Sequence, residues 1–212
     1  IAGGVSMTLE KSIPSRAGMG GGSADAAGVL VGLNALYQAG LSTQTLQKIG
    51  ETIGADVPYC IVGGTALVEG IGDLVTPLAP MKGGAFAVLK PGWGISTVEA
   101  YQAYDRNPCP NHPDTETLAR DLAAGNLQNL APNMANVLEQ ASGHLEEIET
   151  LRQLLLERGA LAARMTGSGS AVYGVFPDLE HAKACAAQIS QPGLWAFAAE
   201  PVKQGIEILS ME

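Results

Sequence analysis

Positive charge is scarce in this chain: 12 lysines and arginines stand against 21 aspartates and glutamates, a formal net charge of −9 over 212 residues. A nucleic-acid binder draws its affinity from Lys and Arg neutralising phosphates, and no basic stretch offsets the deficit, which argues against that class of partner. Long apolar runs are missing too. No stretch of about 18 apolar residues and no basic-then-apolar leader can be found, so nothing points to a membrane or to export. Cysteines number three, Cys60, Cys109 and Cys185, widely spaced and odd in count. That pattern suits reduced thiols in a cytoplasm better than a disulfide framework or a zinc site. His112, His144 and His181 have no ligand spacing and read as surface residues, so Cys and His imply no metal. With 46% hydrophobic and 16% charged residues, the rest is ordinary for a soluble globular protein of one or two domains.

Against this plain background stands the run Pro14-Ser15-Arg16-Ala17-Gly18-Met19-Gly20-Gly21-Gly22-Ser23-Ala24-Asp25-Ala26-Ala27. It places four glycines and a serine where a strand is expected to give way to a helix. Glycine lets the backbone approach an anion closely and take positive φ, and the first-turn N–H groups and dipole of the helix favour negative charge. The run lacks the Gly-Lys-Ser/Thr of a Walker A loop. It also lacks an acid about 20 residues on for a dinucleotide ribose. A kinase-type glycine loop between two strands is excluded because this one opens a helix. A phosphate cradle is the reading, and with it a nucleotide-using enzyme.

Along the chain, Val5 to Ile13 alternates apolar and polar residues and predicts a strand, and Ser23 to Gln38 predicts a buried helix closed by Gly40. Ser42 or Thr43 caps a second helix to Thr52, after which Gly54 to Pro58 breaks the pattern. Thr65 to Val68 and Asp73 to Leu78 form a hairpin through Gly70-Ile71-Gly72, and Ala85 to Leu89 is a strand. A domain boundary falls near Met81 to Gly84, dividing residues 1–81 from 82–212. Beyond it, helices are expected over Thr97 to Tyr104, Asp114 to Ala124, Ala135 to Ala141, Leu145 to Arg158 and Glu180 to Ile189. Strands are expected over Ala160 to Met165, Ala171 to Phe176 and Leu194 to Ala199. This order suggests an α+β sandwich.

Two further segments invite chemistry. Asp56 sits between apolar Ala55 and Val57 in a Gly-to-Pro loop, where either a turn residue or a fixed catalytic base fits. Thr166-Gly167-Ser168-Gly169-Ser170 lies between strands and offers hydroxyls and N–H groups to an anion, or is simply a hairpin turn. Asp25 could stabilise the helix's positive end or hold a cation beside phosphates. Lys11, Arg16 and Arg164 are the bases nearest the loops, with Lys11 read as solvated surface.

Taken together, Pro14 to Ala27, Gly54-Ala55-Asp56-Val57-Pro58 and Arg164 to Ser170 resemble the GHMP small-molecule kinase superfamily, in the family's order and across the chain. The resemblance implies a GHMP kinase fold: a partial ribosomal-protein-S5-domain-2-like N-terminal domain followed by a ferredoxin-like C-terminal domain. It implies ATP and Mg2+ as cofactors. The phosphates would be wrapped by Pro14, Ser15, Arg16, Ala17, Gly18, Met19, Gly20, Gly21, Gly22, Ser23 and Ala24. Asp56 would be the catalytic base, and Thr166, Gly167, Ser168 and Gly169 would bind substrate. No protein metal ligand is assigned. The form of the motifs implies phosphorylation of a cytidine-diphosphate-linked methylerythritol in the non-mevalonate route to isoprenoid precursors. Another GHMP activity, on homoserine or a mevalonate derivative, is the alternative, as is a non-catalytic nucleotide-binding module. Ala24 departs from the second serine many members carry. The chain opens on Ile1 and reads as a fragment, with the family's lysine and most base contacts expected upstream.

Overall fold

The computed structural model describes residues 4–110, 112–189 and 191–210. The chain forms two compact units: Ile1–Ile13, Gly20–Ala79 and Val202–Glu212 in one, Pro14–Met19 and Pro80–Pro201 in the other. Residues 14–19 thus group with the second unit and residues 202–212 with the first.

In the first unit, α1 (Gly21–Leu36) opens from Gly20 at φ 63° and ends at Tyr37, the chain turning off through Gln38 at φ 48°. The helix thus closes before Gly40. Its Ala27 packs with Leu46 of α2 (Thr43–Glu51) and with Val57 and Ile61 of α3 (Val57–Val62). Ser42 caps α2 by accepting the Thr45 N–H at 3.2 Å. The six-residue α3 leaves no mark in the sequence because it is too short for periodicity. Its Pro58 looks like a breaker but occupies the first turn, where a missing N–H costs nothing. Strands β1 (Ala66–Glu69) and β2 (Leu74–Pro77) pair antiparallel, as the hairpin signal implies.

Two expectations fail here. Val5 to Ile13 forms no strand among the described residues, since a strand exists only through a hydrogen-bonded neighbour. Its alternation survives in another form: Val5, Met7 and Leu9 line an apolar groove of about 580 Å³ along α1, with Leu33, Leu36 and Ile208. Nor is α1 buried throughout, because only Ala27 is fully so. The tail returns to this unit: a Cβ on Gly63 would overlap Gly205 N, one on Gly205 would overlap Cys60 O, and Ile206 then joins the core.

The second unit is an antiparallel sheet in the order β4-β5-β3-β6, from β3 (Ala85–Pro91), β4 (Ala162–Met165), β5 (Val172–Phe176) and β6 (Leu194–Ala199). With helices between β3 and β4 and α8 (Leu179–Gln188) between β5 and β6, this is the ferredoxin-like arrangement. The intervening helices are α4 (Thr97–Arg106), α5 (Thr115–Ala124), α6 (Leu127–Asn133) and α7 (Leu145–Leu156). Leu89, Ile148, Leu155, Val172 and Phe176 meet in the core, each burial being worth about 1.5–3 kcal/mol. A smaller cluster holds Ala17, Val88 and Ala171, flanked by Phe86 and Tyr173 in edge-to-face contact at 5.8 Å. The helix expected over Ala135 to Ala141 is not formed, and the helical residues are those of α6 instead. Asn136 explains the change: its side-chain oxygen takes the Leu138 N–H at 2.9 Å, which favours a turn over helix.

Candidate active site

The glycine run is shared between the units. In the first, Gly20 carries no side chain to cap α1, and among the described residues the N–H groups of Gly21, Gly22 and Ser23 have no protein acceptor. The first helical bond is donated by Ala24 N to Gly20 O at 2.8 Å. A Cβ on Gly20 or Gly22 would meet nothing within 4 Å, so there is open space beside these two, whereas one on Gly21 would lie 2.9 Å from the Ile13 side chain. Positive φ at Gly20, unclaimed amides and room above them are what an anion at a helix start needs. Asp25 is ion-paired with Lys11, which is exposed, as expected of a surface residue.

In the second unit, the preceding stretch is stitched to the third motif. Ser170 N donates to Arg16 O at 3.3 Å and Ala171 N to Ala17 O at 3.0 Å, while the Thr166 hydroxyl donates to Gly18 O at 2.9 Å. Ala17 is buried, Pro14, Gly18 and Met19 are half-buried, and Ser15 and Arg16 are exposed. Gly18 and Gly20 both take positive φ, as does Arg16 at φ 52°.

The Thr166 to Ser170 loop is tightly tethered. Gly169 N donates to Thr166 O at 2.9 Å, the Ser168 and Thr97 hydroxyls meet at 2.9 Å, and Ser170 donates to Trp93 O at 2.7 Å. Trp93 O also accepts from Lys90 Nζ at 2.7 Å, and the Trp93 ring stacks on His144 with centroids 4.2 Å apart. From the strand before the loop, Arg164 donates to Met134 O at 2.6 Å and to Ala163 O at 2.7 Å. Burial pulls its guanidinium down, Arg152 adding to the effect. Arg164 therefore serves the backbone. Asn136, Glu139, Lys90, Trp93 and Thr97 carried no sequence signal: Asn136 lies 29 residues from Met165, and no short motif spans that gap.

Asp56 stands at the N-cap of α3 with φ −85° and ψ −9°, exposed and making no capping bond with its side chain. Its segment is held from behind, since Gly72 approaches so closely that a Cβ would lie 2.5 Å from Ala55 O. Below it, burial raises the Cys60 thiol, and the Asp56 charge adds to the rise. Cys60, Cys109 and Cys185 form no disulfide. Of the histidines, His181 pairs with Asp178 and His112 meets the Tyr104 hydroxyl at 3.1 Å, both exposed, while His144 is tied to Trp93. Among the described residues no three His, Cys, Asp or Glu converge as a metal site, and no helix is long and apolar enough to cross a membrane.

A glycine-opened helix, followed in the chain by a ferredoxin-like unit, is the frame of a class of small-molecule kinases. It is shared with a crystal structure of homoserine kinase from Cytophaga hutchinsonii at TM-score 0.75, 18% identity and coverage of 92% of this chain and 69% of that one. Residues 2–64 match the sequence model of the GHMP kinases N terminal domain, and residues 118–193 that of the GHMP kinases C terminal domain. A protein of Carboxydothermus hydrogenoformans called 4-diphosphocytidyl-2-C-methyl-D-erythritol kinase is 41% identical over 210 residues, 98% of this chain and 73% of its own length. The chain belongs to the GHMP kinases. A like-named protein of Clostridium tetani is 45% identical over 185 residues, and the match spans 86% of this chain but only 65% of that relative. The crystal structure of a 4-(cytidine 5'-diphospho)-2C-methyl-D-erythritol kinase superposes at TM-score 0.76 with 34% identity, covering 90% of this chain and 68% of that one.

Proposed function

We propose that the protein carrying this chain transfers the γ-phosphoryl group of ATP to the 2-hydroxyl of 4-diphosphocytidyl-2-C-methyl-D-erythritol, in the cytoplasm. One structural observation carries the reading: the uncapped start of α1, where the N–H groups of Gly21, Gly22 and Ser23 are unclaimed among the described residues and open space lies beside Gly20 and Gly22. Relatives bearing that activity in their names, at 39–45% identity, support the substrate over homoserine or mevalonate types.

Residues Pro14 to Ala24 wrap the ATP phosphates, with the unclaimed backbone N–H groups of Gly21, Gly22 and Ser23 as donors, which suits a triphosphate already rich in charge. ATP supplies the transferred phosphoryl group. Phosphoryl transfer asks the protein mainly for positioning and charge stabilisation. Asp56, exposed and free of capping, accepts the proton of the attacking hydroxyl, and Thr166, Gly167, Ser168 and Gly169 orient the substrate. A magnesium ion with ATP takes only one or two carboxylates plus phosphate and water oxygens, so it needs no three-residue protein cluster. The working halves are residues 1–81 for ATP and 82–212 for the C-terminal domain.

The test is Asp56→Asn in the intact protein. Turnover should fall on the order of 10²–10⁴-fold, with ATP affinity nearly unchanged. Unchanged turnover overturns the base, and preference for homoserine or mevalonate over the cytidylated alcohol overturns the substrate. Nucleotide binding by the wild type without transfer to any alcohol would make it a binding module.

A further inference from the structure

Carboxylates are almost never fully buried unless paired, yet Glu139 is only 9% exposed, far from the Asp56 motif in sequence. Its Oε1 accepts the Met165 N–H at 2.7 Å, and its Oε2 lies 3.8 Å from Arg152. Three residues before it, the Asn136 amide donates to both Met165 O and Gly167 O, each at 2.8 Å, while its oxygen takes the Leu138 N–H. The amide and the carboxylate together grip the backbone on both sides of Thr166.

What they grip is the segment that carries the stretch before α1. Met165 leads into Thr166, whose hydroxyl holds Gly18 O, and then to Ser170 and Ala171, whose N–H groups hold Arg16 O and Ala17 O. Gly167 itself has φ 51°, a conformation two carbonyl contacts at fixed spacing help to hold. We propose, resting on the kinase reading of these loops, that Asn136 and Glu139 are positioning residues. They set the path of Met165–Ala171 and, through it, the Arg16–Gly18 backbone that binds ATP phosphates. Neither touches a reacting atom, so their loss should be felt in ATP binding more than in the chemical step.

Asn136→Asp tests this with almost no change of volume, because a carboxylate would face two carbonyl oxygens where an amide donated. Setting a carboxylate against the buried Met165 and the exposed Gly167 carbonyls is expected to raise KM for ATP on the order of 10-fold with kcat within about 3-fold of wild type. Glu139→Ala should act alike, and Glu139→Gln, which keeps an acceptor for Met165 N–H, should restore the wild-type KM to within about 3-fold. Hydrogen exchange reads the same brace without turnover: the Ser170 and Ala171 amides should exchange faster in Asn136→Asp and Glu139→Ala, but not in Glu139→Gln. Unchanged exchange at these amides, or a fall in kcat with KM for ATP unmoved, overturns the proposal. If Asn136→Asp does not fold, the Glu139→Ala and Glu139→Gln pair decides between the same two outcomes. If the wild type phosphorylates no alcohol, the kinase reading fails, while the exchange measurement still judges the brace.

Discussion

Gly18 and Thr166 are joined backbone to hydroxyl at 2.9 Å, and the fit leaves no space at the Gly18 α-carbon: a Cβ there would overlap Thr166 O and lie 2.7 Å from Gly169 N. Sequence separation between the two is 148 residues, so this contact fastens the unit's short leading piece, Pro14–Met19, to a loop far along its main segment.

Gly18→Ala should therefore be costly in two ways, through the positive φ of 69° and through overlap with backbone that cannot turn aside. A loss on the order of 2–4 kcal/mol is expected, read by urea unfolding. Gly22→Ala is the contrast, since its Cβ would enter open space inside a helix. There stability should hold or rise by up to about 1 kcal/mol, while affinity for ATP falls because the methyl occupies the room over the amides. Tight ATP binding by Gly22→Ala would count against the cradle.

Lys90 is 7% exposed, and its ammonium is held by two carbonyls, Pro91 O at 2.5 Å and Trp93 O at 2.7 Å. Burial lowers its pKa from 10.5. The unfolded chain then binds the proton more tightly than the folded one, so this group makes stability rise with pH from its folded pKa up to 10.5. Unfolding of Lys90→Met followed across the alkaline range should lack that rise. An identical pH slope in the two proteins would rule the buried amine out as its source.

Asp114 caps α5, its carboxylate accepting from the Thr117 hydroxyl at 2.7 Å and from Thr117 N–H at 3.1 Å. Those bonds pull its pKa below 3.8. With the folded value depressed, its stabilisation is complete above 3.8 and is lost as pH falls through the folded pKa. Asp114→Asn keeps an acceptor but cannot titrate. It should resemble the wild type at neutral pH and lose less stability on acidification, whereas Asp114→Ala should be weaker at neutral pH. A wild-type acid profile in Asp114→Asn would refute the assignment.

Local chemistry made much of this legible. Ser42 sits where a cap is expected, α5 begins one residue after the expected Asp114, the Gly70-Ile71-Gly72 turn joins β1 and β2, and the second unit's strands lie close to where the sequence puts them. Where the sequence misled, a tertiary partner decides. Val5 to Ile13 has a strand's alternation but no ladder to join, and Asn136 spends its side chain on a turn where a helix is expected. The motif residues announce themselves by composition, whereas Glu139 and Lys90 look like any surface charge until folding buries them.

The grip on Met165 has an effect that reaches past phosphate handling. Strand β4 is the margin of its sheet, and Thr166 N donating to Ala171 O places the backbone of Ala163 and Met165 on the side away from β5. Ala163 O is taken by Arg152 and Arg164, Met165 N–H by Glu139, and Met165 O by Asn136. A foreign strand meeting that margin finds Ala163 O and both hydrogen-bonding groups of Met165 already spoken for. The opposite margin of the sheet is β6, where Trp195 is 61% exposed. The side chains that set the loop's path thus also blunt one side of the sheet against a foreign strand.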